Sequence, residues 1–124
     1  MAAGPHDIYM EQGSTLREQF VYGTSTLPDP VAVQTPYDLT GCSAKAQFRE
    51  KYGLPVVLEL SSDNGDIVLG GALGTIEMTA SAEQTDLVTI KRGKWDLELT
   101  YTDLTVKRIL MGTLFNSLAI TREA

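Results

Sequence analysis

One cysteine, one histidine and one tryptophan are spread over 124 residues, and each scarcity removes a class of chemistry. A single thiol, Cys42, forbids an internal disulfide and a thiolate metal cluster. A Ser/His/Asp or Cys/His site would have to use His6, which sits between Pro5 and Asp7, far along the chain from Cys42. Basic residues are also few. Ten Lys and Arg against sixteen Asp and Glu give a net charge of −6. That balance disfavours nucleic acid, whose phosphates need neutralising, and an anionic membrane surface; it favours solubility. No apolar run approaches the ~20 residues that span a bilayer. The N-terminus lacks the basic-then-apolar pattern of a secretory signal, which predicts folding in a cytoplasm.

What is present is strand-like. In Lys94-Trp95-Asp96-Leu97-Glu98-Leu99-Thr100-Tyr101 the apolar residues alternate with charged or polar ones. A period of two describes a strand with one face in a core and the other in water. It makes Trp95 a core anchor. Hydrophobic residues at 43% and charged residues at 21% are those of an ordinary globular domain. The length fits one domain over 1–124 with a core of its own.

Further strands are predicted over 7–11, 16–22, 43–49, 56–60, 67–69, 74–79 and 106–115, with a short final one in the tail 118–121. Residues 43–49 place Ala44, Ala46 and Phe48 inward. Asn64-Gly65 between apolar runs predicts a hairpin joining 56–60 to 67–69, because both turn residues must reach positive φ. Residues 23–38 hold Pro28, Pro30 and Pro36. They read as a loop with at most an edge strand at 31–33, since proline cannot donate to a ladder. Ser81 with Gln84 fits a capping box that opens a helical turn near 81–87. Gly112 interrupts 106–115 and marks a bulge or a bend. About seven to nine short strands at this spacing argue for an all-β sandwich or small barrel.

The reactive-looking groups have plainer accounts. Asp63, Asn64 and Asp66 lack the twelve-residue loop with a distal Glu that holds Ca²⁺, and a turn explains them. Gly70-Gly71-Ala72-Leu73-Gly74 has neither the following helix nor the Lys-Ser/Thr pair of a phosphate loop. Asp96 and Glu98 share the outward face of one strand, not two walls of a cleft. Lys91, Arg92 and Lys94 approach Lys107 and Arg108 if the last two strands form a hairpin. They read as a solvated face with cross-strand pairs, or as a patch for an acidic partner. No catalytic residue, cofactor or metal is expected, and the chain is expected not to be an enzyme.

Several segments line up with a known group of proteins. Met10-Glu11-Gln12-Gly13-Ser14-Thr15-Leu16, Tyr37-Asp38-Leu39-Thr40-Gly41, Ser62-Asp63-Asn64-Gly65, Gly74-Thr75-Ile76, Ser81-Ala82-Glu83-Gln84-Thr85, Trp95-Asp96-Leu97-Glu98-Leu99-Thr100 and a final Arg108-to-Thr113 strand follow one another in a recognisable order. Together they resemble small virion proteins of tailed bacteriophages and the N-terminal β-sandwich domain of phage upper baseplate proteins. The resemblance spans about residues 7–121. It departs in the long Pro-rich loop and in the turn Thr102-Asp103-Leu104-Thr105. It implies an immunoglobulin-like antiparallel β-sandwich and a non-enzymatic structural protein in a virion assembled in the host cytoplasm. Such a protein would dock onto tail, baseplate or fibre components. Its partners would be other virion proteins and further copies of itself, with no nucleic acid and no membrane.

Apolar residues in an arm or loop suggest a covering surface. The expected partner contacts are therefore Pro5, His6, Ile8 and Tyr9 of an N-terminal arm over 1–9, and Leu27, Pro28, Val31 and Val33 of the Pro-rich loop. Alternatives are a capsid cement or decoration protein and a carbohydrate-binding module that uses Tyr9, Tyr22, Tyr52 or Tyr101. Trp95→Ala should unfold the domain, at ~3–5 kcal/mol in chemical denaturation. A fully stable variant that merely lost a ligand would contradict the core assignment.

Overall fold

A computed structural model describes residues 4–24 and 35–119. Its strands are β1 (Gly4–Pro5), β2 (Ile8–Glu11), β3 (Leu16–Val21), β4 (Gly23–Thr24), β5 (Thr35–Pro36), β6 (Ser43–Arg49), β7 (Val56–Ser61), β8 (Ile67–Leu69), β9 (Thr75–Ala80), β10 (Arg92–Thr100) and β11 (Val106–Ser117). A 3-10 turn (Gly71–Leu73) and one short helix, α1 (Ala82–Asp86), complete it. One sheet runs β1-β11-β10-β6-β7 with β2 also on β11; the other runs β3-β9-β8. The β4–β5 pair stands apart.

Alternation decides which side of each strand is buried. Trp95, Leu97 and Leu99 of β10, and Ala44, Ala46 and Phe48 of β6, are all within 5% exposure, as their spacing predicts. Ile76, Met78 and Ala80 of β9 and Leu16 of β3 meet them from the second sheet. An aromatic trio joins the layers. Trp95 stacks on Phe48 at 5.6 Å and on Phe20 of β3 at 6.4 Å.

The strand order defines an immunoglobulin-like sandwich. β11, β10, β6 and β7 take the places of G, F, C and C′, and β3, β9 and β8 those of B, E and D. In antibody domains a disulfide joins B to F against a tryptophan on C. Here Phe20, Trp95 and Phe48 bridge those same three strands, and Cys42 remains a free thiol just before β6.

The first strand does not join β3. It pairs parallel with β11, from Gly4↔Leu110 and Pro5↔Met111 to Ile8↔Leu114 and Glu11↔Ser117. Between the two paired stretches the Asp7 carboxylate accepts the Thr113 N–H at 3.0 Å in place of a backbone carbonyl. The carbonyl of His6 is thereby free to accept the Trp95 indole N–H at 2.7 Å. Of the arm expected over 1–9, the described residues 4–9 run along the large sheet through the pairings of β1 and β2 with β11, and residues 1–3 lie outside the described residues.

Two local expectations are also corrected. Asn64-Gly65 does form a tight turn, with Gly65 at φ 87° and the Asn64 side chain accepting from the Asp66 N–H. It is no hairpin, because β7 pairs with β6 while β8 pairs with β9 in the other sheet. Turn chemistry is local, whereas the pairing partner is decided by which layer buries Leu60 and Ile67. The register shift in β11 lies opposite Leu97/Glu98, not at Gly112. Gly112 serves a close approach: a Cβ there would stand 2.0 Å from the His6 carbonyl oxygen. Residues 118–119 form no strand, and 120–121 fall outside the described residues, as does the edge strand expected at 31–33.

The predicted capping box is present. Ser81 Oγ accepts from the Gln84 N–H, and Gln84 Oε1 accepts from the Ser81 N–H. Gly112→Ala should force the first strand off β11. Urea unfolding should report a loss of ~1–3 kcal/mol, with faster amide exchange over β1 and β2. Unchanged exchange there would refute the close-approach role.

Candidate functional site

The expected contact residues split. Pro5 is exposed, His6 half-buried, and Tyr9 72% exposed. Ile8 is wholly buried in the domain's own core, because alternation along β2 turns it and Met10 inward. It has no surface to offer a partner on the folded domain. Leu27, Pro28, Val31 and Val33 lie outside the described residues. The histidine packs against the core aromatics from the surface. Its ring meets Phe20 edge-on at 4.9 Å and Trp95 at 6.3 Å. Its Nε2 is buried without a hydrogen bond, 3.8 Å from Glu18 Oε2.

Tyr9 belongs to a ladder that crosses three strands. Arg92 of β10 is registered with Phe115 of β11, and Phe115 with Tyr9 of β2. The Tyr9 and Phe115 rings stack at 5.0 Å with planes 12° apart. The Arg92 guanidinium lies 5.0 Å from the Phe115 ring centroid, within cation–π range. The ladder runs along the outer face of the large sheet to its edge. Phe115 was not anticipated as a surface group. The signal for it was available: it shares the outward parity of Met111 and Thr113, opposite buried Leu114.

At one end of the sandwich the segments 10–16 and 81–85 meet. Gln12 is buried; its Nε2 donates to the Asp86 carbonyl and its Oε1 accepts from the Ala119 N–H. Thr85 Oγ1 accepts from the Gly13 N–H and donates to the Ser14 carbonyl. These contacts fasten the β2–β3 turn to α1, which makes both motifs structural. Asn116 adds a staple, its Nδ2 donating to the carbonyls of Val88 and Ile90.

At the opposite end Tyr22 and Tyr37 pack at 4.8 Å. Burial pushes the Tyr101 phenol up to about 12, with help from its hydrogen bond to Tyr22. Burial also raises the Cys42 thiol, reinforced by the nearby Asp38 charge. A thiol held protonated is a poor nucleophile. The β10–β11 turn there holds Leu104 at φ 71° and 81% exposed. Among the described residues no group of three His, Cys, Asp or Glu could hold a metal ion. No described helix is long and apolar enough to cross a membrane.

No family model matches the sequence, and no curated protein matches it. The solved structures similar to it at low identity include two described by their extracellular domains. Drosophila OTK, extracellular domains 3–5, is 15% identical with a TM-score of 0.37, covering 92% of this chain and 34% of that one. The extracellular domain of the voltage-gated sodium channel beta4 subunit, seen as parallel homodimers and assigned a role in cell-cell adhesion, is 13% identical with a TM-score of 0.36. It covers 100% of this chain and 92% of its own. The chain thus spans about a third of the first of these structures.

Tyr101 generates an alkaline prediction. Its phenol is neutral up to a higher pH when folded than the ordinary value of 10.0. The stability it contributes is therefore complete below pH 10 and lost as pH rises towards 12. Tyr101→Phe should flatten the fall in unfolding free energy across that window, and an ultraviolet titration should lose its latest-ionising tyrosine. An unchanged slope would count against the partly buried phenol as the cause.

Proposed function

We propose that the chain is a non-enzymatic structural protein of a tailed-bacteriophage virion. It acts as a docking module of the tail, baseplate or fibre-attachment region. Its partners are other virion proteins and further copies of itself. The order of the segments from Met10-Glu11-Gln12-Gly13 to Trp95-Asp96-Leu97-Glu98 supports the phage setting.

The observation that carries the docking role is the exposed edge made by β2. Among the described residues this strand is paired on one side only, with β11. Its other side presents unpaired backbone groups, a template for an added strand. Tyr9, 72% exposed and braced by Phe115, stands beside that edge. A large ring fixed by stacking is a low-entropy anchor for a partner.

Deleting residues 1–9 is a poor test, because it also removes the His6 carbonyl that Trp95 needs. Tyr9→Ser is the better one. It should cost ~0.5–1.5 kcal/mol of stability and leave the domain folded by circular dichroism, yet strip the protein from purified particles. Retention at the wild-type level would sink the docking role. A shell-wide copy number by gel densitometry would move the protein from the tail to capsid decoration.

A further inference from the structure

The outer face of the large sheet carries a second feature, independent of the docking role. A concavity of about 240 Å³ opens over β6, β10 and β11. Arg49, Lys51, Lys94 and Arg108 line it, with Asp96 as its one carboxylate. In a chain of net charge −6 this is a local inversion of sign. The strands create it: Arg49 and Lys51 come from β6 and the turn after it, Lys94 from β10 and Arg108 from β11.

The charges are poorly compensated. Asp96 lies 3.7 Å from Arg108. Among the described residues Arg49, Lys51 and Lys94 have no ion pair. Arg49 and Lys94 are directly opposed in the β6–β10 register, and like charges so placed destabilise an antiparallel pair. Arg49 is nonetheless held in position. One nitrogen donates to the Leu54 carbonyl at 2.5 Å and another to Gln47 Oε1 at 3.4 Å. Among the described residues Lys94 hydrogen-bonds only to Thr113 Oγ1, at 3.4 Å. Two adjacent cations, one of them pre-positioned, fit a single anionic group between them.

The remaining wall is not ionic. Tyr52 lines the concavity and is 76% exposed, and Met111 adds to the apolar floor. A bare anion would have no use for these. The volume is below the roughly 300–1,000 Å³ of drug-sized sites, which suits one ring and not an extended peptide. We infer that the concavity binds an acidic sugar. The sugar carboxylate sits between Arg49 and Lys94, and the ring lies against Tyr52 and Met111.

The test titrates the full isotope-labelled chain with glucuronate at low salt and follows the backbone amides of Arg49, Lys94 and Thr113. Saturable shifts that weaken with salt are expected, with none from glucose. Lys94→Gln should raise Kd about tenfold without lowering the thermal midpoint, since it removes a like-charge pair. Tyr52→Ala should weaken glucuronate binding and leave inorganic phosphate unaffected. The inference is overturned by an absence of saturable shifts or by an equal response to glucose. It is equally overturned if inorganic phosphate or a triglutamate peptide binds as tightly as glucuronate, or if either variant binds glucuronate like the parent.

Discussion

The indole N–H of Trp95, donated to the His6 carbonyl at 2.7 Å, is the contact around which the domain is organised. A buried indole N–H without an acceptor is costly. Its acceptor here comes from the chain's first strand, 89 residues away in sequence. To reach it, the first strand must lie over β11, and β11 must offer a residue without a side chain at that point. Gly112 is that residue. The Asp7 carboxylate then occupies the N–H of Thr113. One polar requirement of a core aromatic thus dictates the parallel pairing of β1 and β2 with β11.

The same aromatic separates two surfaces with different work. Inward, Trp95 is stacked with Phe48 and Phe20, and this contact spans the layers where antibody domains place a disulfide. Outward, the neighbouring positions of β10 are freed from packing. They carry Arg92 into the ladder with Phe115 and Tyr9, and Lys94 into the basic concavity. The alternation of three adjacent strands, β6, β10 and β11, is what lets a chain with few cations gather several of them on one face.

Much of this was legible in the residues. The alternation in 94–101 and 43–49 foretold both strands and their buried faces, because period-two patterning is local and unambiguous when charges mark one side. Ser81 and Gln84 foretold the cap for the same reason. What stayed hidden depends on distant partners. Asn64-Gly65 announces a turn whether or not the strands beside it pair. Gly112 looks like a bulge until the His6 carbonyl is seen above it. Arg49 and Lys94 lie far apart in sequence, and only the β6–β10 register makes them neighbours. The burial of Ile8 beside the exposure of Tyr9 follows from strand parity once residues 8–11 are known to be a sheet strand.

Pairing the first strand with the last also has a kinetic side. Asp7 and Thr113 are 106 residues apart, and contacts of such separation carry a loop-closure cost that slows folding. During synthesis the first strand emerges long before β11 exists. Until β11 leaves the ribosome, that edge of β10 stays open and the Trp95 N–H has no acceptor. The large sheet therefore closes only after β11 has emerged, and the nascent chain carries an unpaired, partly apolar strand over residues 8–11 until then.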